Sequence, residues 1–234
     1  MSDQGRALTV LFLPAVINFL VPMAFGFYVY SVIRSPPERI GFEVMKLVMT
    51  YNFYWSIVQA VFGLYAAKAM GGLEWLRSQY STEDLKGARD LALTAGLAAA
   101  TIAVIWAFQF LNAALSGPEA YFKTWREVVA SLPLWSRLYF VAVAPFTAGI
   151  FEEILWRGYG ISQLEKSMGT RRALILQAIA FGVWHGLSLH TVATAIVGFL
   201  YGYVYARRRR LLVLSAAHTL ADIVGFYFAF FALQ

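Results

Sequence analysis

The sequence predicts an all-α fold, a polytopic transmembrane helix bundle of about seven spans. Hydrophobic residues make up 60% of the 234 positions, charged residues only 14%, and the apolar residues gather into runs of membrane-crossing length. A soluble domain carries about 25% charge, so this chain lacks the polar surface to stay in water.

Runs near the ~20 residues that a crossing helix needs place spans at Leu8–Tyr30, Val44–Ala67, Leu91–Leu115, Leu138–Tyr159, Ala173–Leu189, Thr191–Tyr205 and Leu211–Phe231. The first run is too long for the apolar core of a signal peptide and no soluble domain follows it, so it reads as an anchor. The fifth and sixth runs are short and nearly contiguous. They predict a tight turn or a partly re-entrant segment near Ser188–His190. Ser31–Glu43, Lys68–Asp90 and Ser116–Arg137 read as interhelical loops. In the last of these, Tyr121, Phe122, Trp125, Val128 and Val129 recur at near-helical spacing and predict an interfacial amphipathic helix over Pro118–Ala130. Trp55, Trp75, Trp106 and Trp135 read as interfacial or packing aromatics.

Charge sets the expected orientation. With a cytoplasmic N-terminus, the inner segments carry Arg6, Lys68, Arg77, Lys86, Arg89, Lys166, Arg171, Arg172 and Arg207 to Arg210. The outer ones carry Arg34, Arg39, Lys123, Arg126 and Arg137. Basic residues favour the cytoplasmic side, so the N-terminus is expected inside, with the protein in the cell membrane. The run Arg207–Arg210 reads as a topology anchor, and the net charge of +6 follows from the same bias. Neither calls for a nucleic-acid partner; membrane lipids are the expected surroundings. With no cysteine, disulfides, thiolate nucleophiles and sulfur metal ligands are absent.

Against this apolar background, Glu152, Glu153, Arg157, His185, His218 and Asp222 all fall inside predicted spans. Ionisable side chains there are costly and mark functional sites. Helix positions four apart share a face, so Glu153 and Arg157 can pair, while Glu152 is rotated by about 100° and stays available. His218 and Asp222 have the same spacing, which lets the carboxylate orient the imidazole. Gly182 and Gly186 bracket His185 at the small-residue spacing that lets membrane helices approach closely. Counting at 1.5 Å per residue, Glu152 and His218 both sit about 10 Å in from the cytoplasmic side. His185 comes out several ångströms deeper, which suggests a fifth span beginning later than Ala173.

Two glutamates and two imidazoles in one buried pocket suit peptide-bond hydrolysis: a base for water, a proton donor for the leaving amine and a partner for the oxyanion. Adjacent carboxylates in a low-dielectric medium share protons, so one glutamate can act as base and then acid. Other intramembrane chemistries lack their residues. No His-Glu-x-x-His motif occurs, no span serine lies in a Gly-x-Ser-x-Gly setting, and Asp222 is the one aspartate inside a span, too few for an aspartyl dyad.

Glu152-Glu153-Ile154-Leu155-Trp156-Arg157, Phe181-Gly182-Val183-Trp184-His185 and His218-Thr219-Leu220-Ala221-Asp222 resemble, in order and spacing, the three motifs of the CAAX-protease and bacteriocin-processing (CPBP, or Abi) family of intramembrane endopeptidases. The resemblance covers roughly residues 138–234. It implies a catalytic helix bundle there, with residues 1–137 supplying further spans and loops. It also implies that Glu152 is the general base, holding water with His185, that Glu153 and Arg157 form a supporting pair, and that His218 with Asp222 stabilises the oxyanion. Asp222 departs from members with asparagine at this position: an ionised aspartate only accepts hydrogen bonds, so it orients His218 or donates when protonated. The expected mechanism needs no cofactor; zinc held by Glu152, His185 and His218 is the alternative. The implied partner is a membrane-associated peptide or protein substrate. A non-catalytic peptide-binding or bacteriocin-immunity protein is the other reading, and a proton-coupled transporter lacks its inverted repeat. His190 matches no motif and reads as structural.

Overall fold

A computed structural model describes residues 3–232, and among them every regular element is helical. In chain order these are α1 (Asp3–Tyr28, continued by a π turn to Ile33), α2 (Pro37–Thr50), α3 (Phe53–Met70) and α4 (Gly72–Gln79). A short 3₁₀ turn then leads to α5 (Ala88–Ser116), α6 (Pro118–Ser131), α7 (Leu134–Ala142) and α8 (Ala144–Thr147). A π-helical segment, Ala148–Ile161, is followed by α9 (Ser162–Met168), α10 (Thr170–Trp184), α11 (Leu189–Arg208) and α12 (Leu212–Tyr227, continued by a π turn to Ala232).

Five helical stretches are long and apolar enough to cross a membrane: Asp3–Ile33, Ala88–Ser116, Leu134–Met168, Leu189–Arg208 and Leu212–Ala232. The expected Val44–Ala67 span falls on the pair α2 and α3, bent by 55° and together apolar enough for a sixth, broken span or a re-entrant loop. The expected Ala173–Leu189 span is α10, at 15 residues a short element held between longer ones. The amphipathic helix expected after Ser116 is α6, which buries Val128 and Val129.

The π segment is the central element. Pro145 has no amide hydrogen and sits at the start of α8, just past the break at Val143. From there the chain stays helical to Met168, and the side chains from Glu152 through Ile161 are all buried. Two glycines let neighbours close on it. A Cβ at Gly63 of α3 would lie 2.7 Å from Phe151 Cβ, and one at Gly149 would lie 2.9 Å from Ser215 O and closer still to Thr219 Oγ1. Such contacts replace the hydrophobic drive that water supplies to soluble bundles.

The chain turns between α10 and α11 at His185–Ser188, the tight turn expected there, and Ser188 caps α11 in a reciprocal box with Thr191. Gly182 makes the expected close contact, since an added Cβ would meet Thr191 O at 2.6 Å. Gly186 does not. It has φ +98° and no neighbour within 4 Å of an added Cβ, so it serves the turn rather than the packing.

At the opposite end, Arg207–Arg210 do more than mark a membrane side. Arg208 pairs with Asp90, Arg209 with both oxygens of Glu165 at 2.5 and 2.7 Å, and Arg210 reaches Ser78 O at 2.5 Å and Asp84 at 3.7 Å. These contacts tie the α11–α12 turn to the α4–α5 connection and to α9, so the arginine-rich turns share one end of the bundle.

Candidate active site

Adjacent positions on the π segment send Glu152 and Glu153 to different neighbours. Glu153 and Arg157 pair as their spacing predicts, with Arg157 Nη1 3.0 Å from Glu153 Oε1 and both side chains fully buried. The guanidinium nitrogens make no well-aligned hydrogen bond among the described residues. The charge is instead covered by the faces of Phe181 at 4.3 Å and Tyr201 at 5.2 Å, a favourable arrangement for a desolvated cation.

The partner of His218 differs from the expectation. Its Nδ1 lies 2.8 Å from Glu153 Oε1, whereas Asp222 Oδ2 is 3.7 Å from Nε2. Glu153, not Asp222, holds the imidazole, so Nδ1–H donates to Glu153 and Nε2 faces the carboxylates of Glu152 and Asp222. The physical reason is the close crossing at Gly149: it brings α12 near enough for Glu153 Oε1 to serve Arg157 and His218 together. Asp222 is the more exposed carboxylate, at 22% against 2% for Glu152.

Glu152 is held by residues that sequence reasoning did not single out. Gln59 of α3 donates to its Oε1 at 2.7 Å and Trp184 Nε1 donates to the same oxygen at 3.1 Å. Trp184 is itself fixed. Trp55 packs on its ring at 4.1 Å between centroids, and Asn18 Nδ2 donates to its carbonyl at 2.7 Å. The signal in the sequence was a lone amide, Gln59, inside the apolar run Ser56–Leu64. Glu152 Oε2, by contrast, is buried, has no hydrogen-bond partner among the described residues, and lies 4.0 Å from His218 Nε2. That separation is too long for a direct hydrogen bond and suits two groups sharing a water or a substrate atom.

His185 caps α10, and its Nδ1 lies 2.8 Å from Phe181 O. Its ring and that of His218 both pack on Phe181, at 4.8 and 6.4 Å between centroids, so the two histidines share one wall. His190 is 5.7 Å from His185, ring to ring. The expected late start of the fifth span is corrected: α10 begins earlier, at Thr170, and the preceding helix runs past Tyr159 to Met168. With the turn at Gly169, Glu152 and His185 lie nearly equal numbers of residues along the two arms, which brings them to one level.

Among the described residues no group of three or more His, Asp or Glu side chains is arranged to hold a metal ion.

Residues 133–224, which contain all six polar positions, match the family model of the Rce1-like type II CAAX prenyl endopeptidases. This part of the chain is similar to the CAAX proteases. No curated protein and no solved structure matches significantly. The apolar helices describe an integral membrane protein, and the matched family is one of CAAX prenyl endopeptidases.

Proposed function

We propose that this protein is an intramembrane endopeptidase in which Glu152 is the general base. The observation that carries the reading is Glu152 Oε2, buried and unpartnered, facing His218 Nε2 across 4.0 Å. Its other oxygen is saturated by Gln59 and Trp184, which hold the carboxylate still and leave one acceptor for a water proton.

A water between Glu152 and His218 gives its proton to Glu152 as its oxygen bonds to the scissile carbonyl carbon. The carbonyl oxygen takes the negative charge. His218, its Nδ1 proton held by Glu153, stabilises that oxyanion when Nε2 also carries a proton, and Arg157 keeps Glu153 in place for this. Glu152 then returns the proton to the leaving nitrogen, giving one carboxylic acid and one amine. His185 lines the same wall and contributes to holding the water. Asp222, the more exposed carboxylate, lies 3.7 Å from His218 Nε2 and tunes its charge.

The substrate is a membrane-associated peptide or protein, and the bias of basic residues supports an N-terminus on the cytoplasmic side of the cell membrane. Support comes from the match to CAAX prenyl endopeptidases and from the gathering of basic turns at one end. The test is hydrolysis of prenylated and unprenylated C-terminal peptides by the purified protein, with Glu152→Gln as control. The variant should lose about 10²–10⁴ in rate; equal turnover by wild type and variant would overturn the assignment.

A further inference from the structure

Three of the four consecutive arginines at the end of α11 are satisfied within the chain, Arg208 by Asp90, Arg209 by Glu165 and Arg210 by Asp84. Arg207 is not: among the described residues it pairs with no carboxylate, and its guanidinium lies over the Tyr203 ring at 4.8 Å. Arg171, at the start of α10, likewise pairs with no carboxylate among the described residues and is exposed. The two guanidiniums border one open groove of about 530 Å³ between α10 and α11, whose walls include Leu174, Phe199, Tyr203 and Ala206. Phe199 and Tyr203 are nearly half exposed, so the groove opens outward, away from the buried catalytic cluster.

We propose that this groove binds one anionic phospholipid, its phosphate between Arg171 and Arg207 and an acyl chain along Leu174 and Phe199. Charge complementarity selects the occupant. Guanidinium forks match phosphate oxygens, and the apolar walls beneath them match a hydrocarbon tail rather than a hydrated soluble anion. Stacking on Tyr203 holds Arg207 over the groove before the lipid arrives, which lowers the ordering cost of binding. Anionic lipid is concentrated in the cytoplasmic leaflet, the side proposed for the arginine-rich turns. The site does not depend on the protease reading, because none of its residues touches the catalytic cluster.

The test uses the full chain, purified in a neutral detergent and titrated with phosphatidylglycerol, phosphatidylcholine or inorganic phosphate, with Tm and lipid retention in native mass spectrometry as readouts. Phosphatidylglycerol should raise Tm and remain bound at one copy, and the other two should do neither. Arg171→Gln with Arg207→Gln should weaken that binding about five-fold per arginine, about 30-fold together, while Arg39→Gln with Arg126→Gln, removing equal charge elsewhere, should leave it intact. Ala206→Trp, which fills the groove and keeps both charges, should also abolish the retained lipid. An equal shift with phosphatidylcholine, a shift reproduced by phosphate alone, or full retention in the arginine or Ala206→Trp variants would overturn the proposal.

Discussion

Replacing Arg157 with methionine tests whether the centre of the bundle is organised as an ion pair. The side chain is fully buried, Nη1 is 3.0 Å from Glu153 Oε1, and the carboxylate left behind is itself fully buried. Removing one partner of a buried pair costs about 3–5 kcal/mol. Methionine refills part of the volume and can pack against Phe181 and Tyr201, where sulfur–aromatic contact returns about 0.3–1.5 kcal/mol. His218 remains as a donor to Glu153, so the lower end, about 3 kcal/mol, is expected. Glu153→Gln alone strands the guanidinium instead and should be similarly destabilised. The double variant removes both charges together and should be more stable than either single one. It should not recover activity, since His218 has then lost its anionic partner. The assay is unfolding in mixed micelles titrated with sodium dodecyl sulfate, on all four proteins, alongside peptide turnover. An Arg157→Met protein within about 0.5 kcal/mol of wild type, as for an ordinary surface change, would refute the buried-pair argument.

Gln59→Leu should lower kcat with little change in KM, since it removes one of two donors to Glu152 Oε1; a loss of about 1–3 kcal/mol of interaction reads as a drop of about 5- to 160-fold, and wild-type turnover would show that Trp184 suffices. Asp222→Asn should keep substantial activity, because Glu153 rather than Asp222 holds His218; a total loss would return the orienting role to Asp222. Gly149→Ala should destabilise the protein by about 1–3 kcal/mol through overpacking, because its Cβ meets Ser215 O and Thr219 on α12; unchanged unfolding would mean that crossing is loose. Activity is expected to survive a strong chelator at equilibrium, and stoichiometric zinc lost in parallel with turnover would replace the glutamate mechanism with a metal one.

The membrane setting, the six polar positions and the Glu153–Arg157 pair were legible because each depends on local order along the chain. Composition reports burial in lipid, and helical spacing reports which neighbours share a face. Span ends were less legible. Tyr159 looked like an end because polar residues follow it, yet α9 carries the helix on to Met168, and that shift accounts for the apparent depth mismatch of His185. Gln59 was passed over because one amide in an apolar run has no periodic partner; its meaning appears only when α3 crosses the π segment at Gly63.

From the sequence alone came the fold class, the candidate catalytic set and the Glu153–Arg157 contact within a single helix. Tertiary structure decided which carboxylate holds His218, what saturates Glu152, and which of four consecutive arginines stays available at the surface. Spacing along one helix determines the face a side chain takes, whereas contacts between helices depend on rotation, crossing point and the wider turn of the π segment. Those are set by packing at Gly63, Gly149 and Gly182, where the absence of a side chain lets two backbones meet.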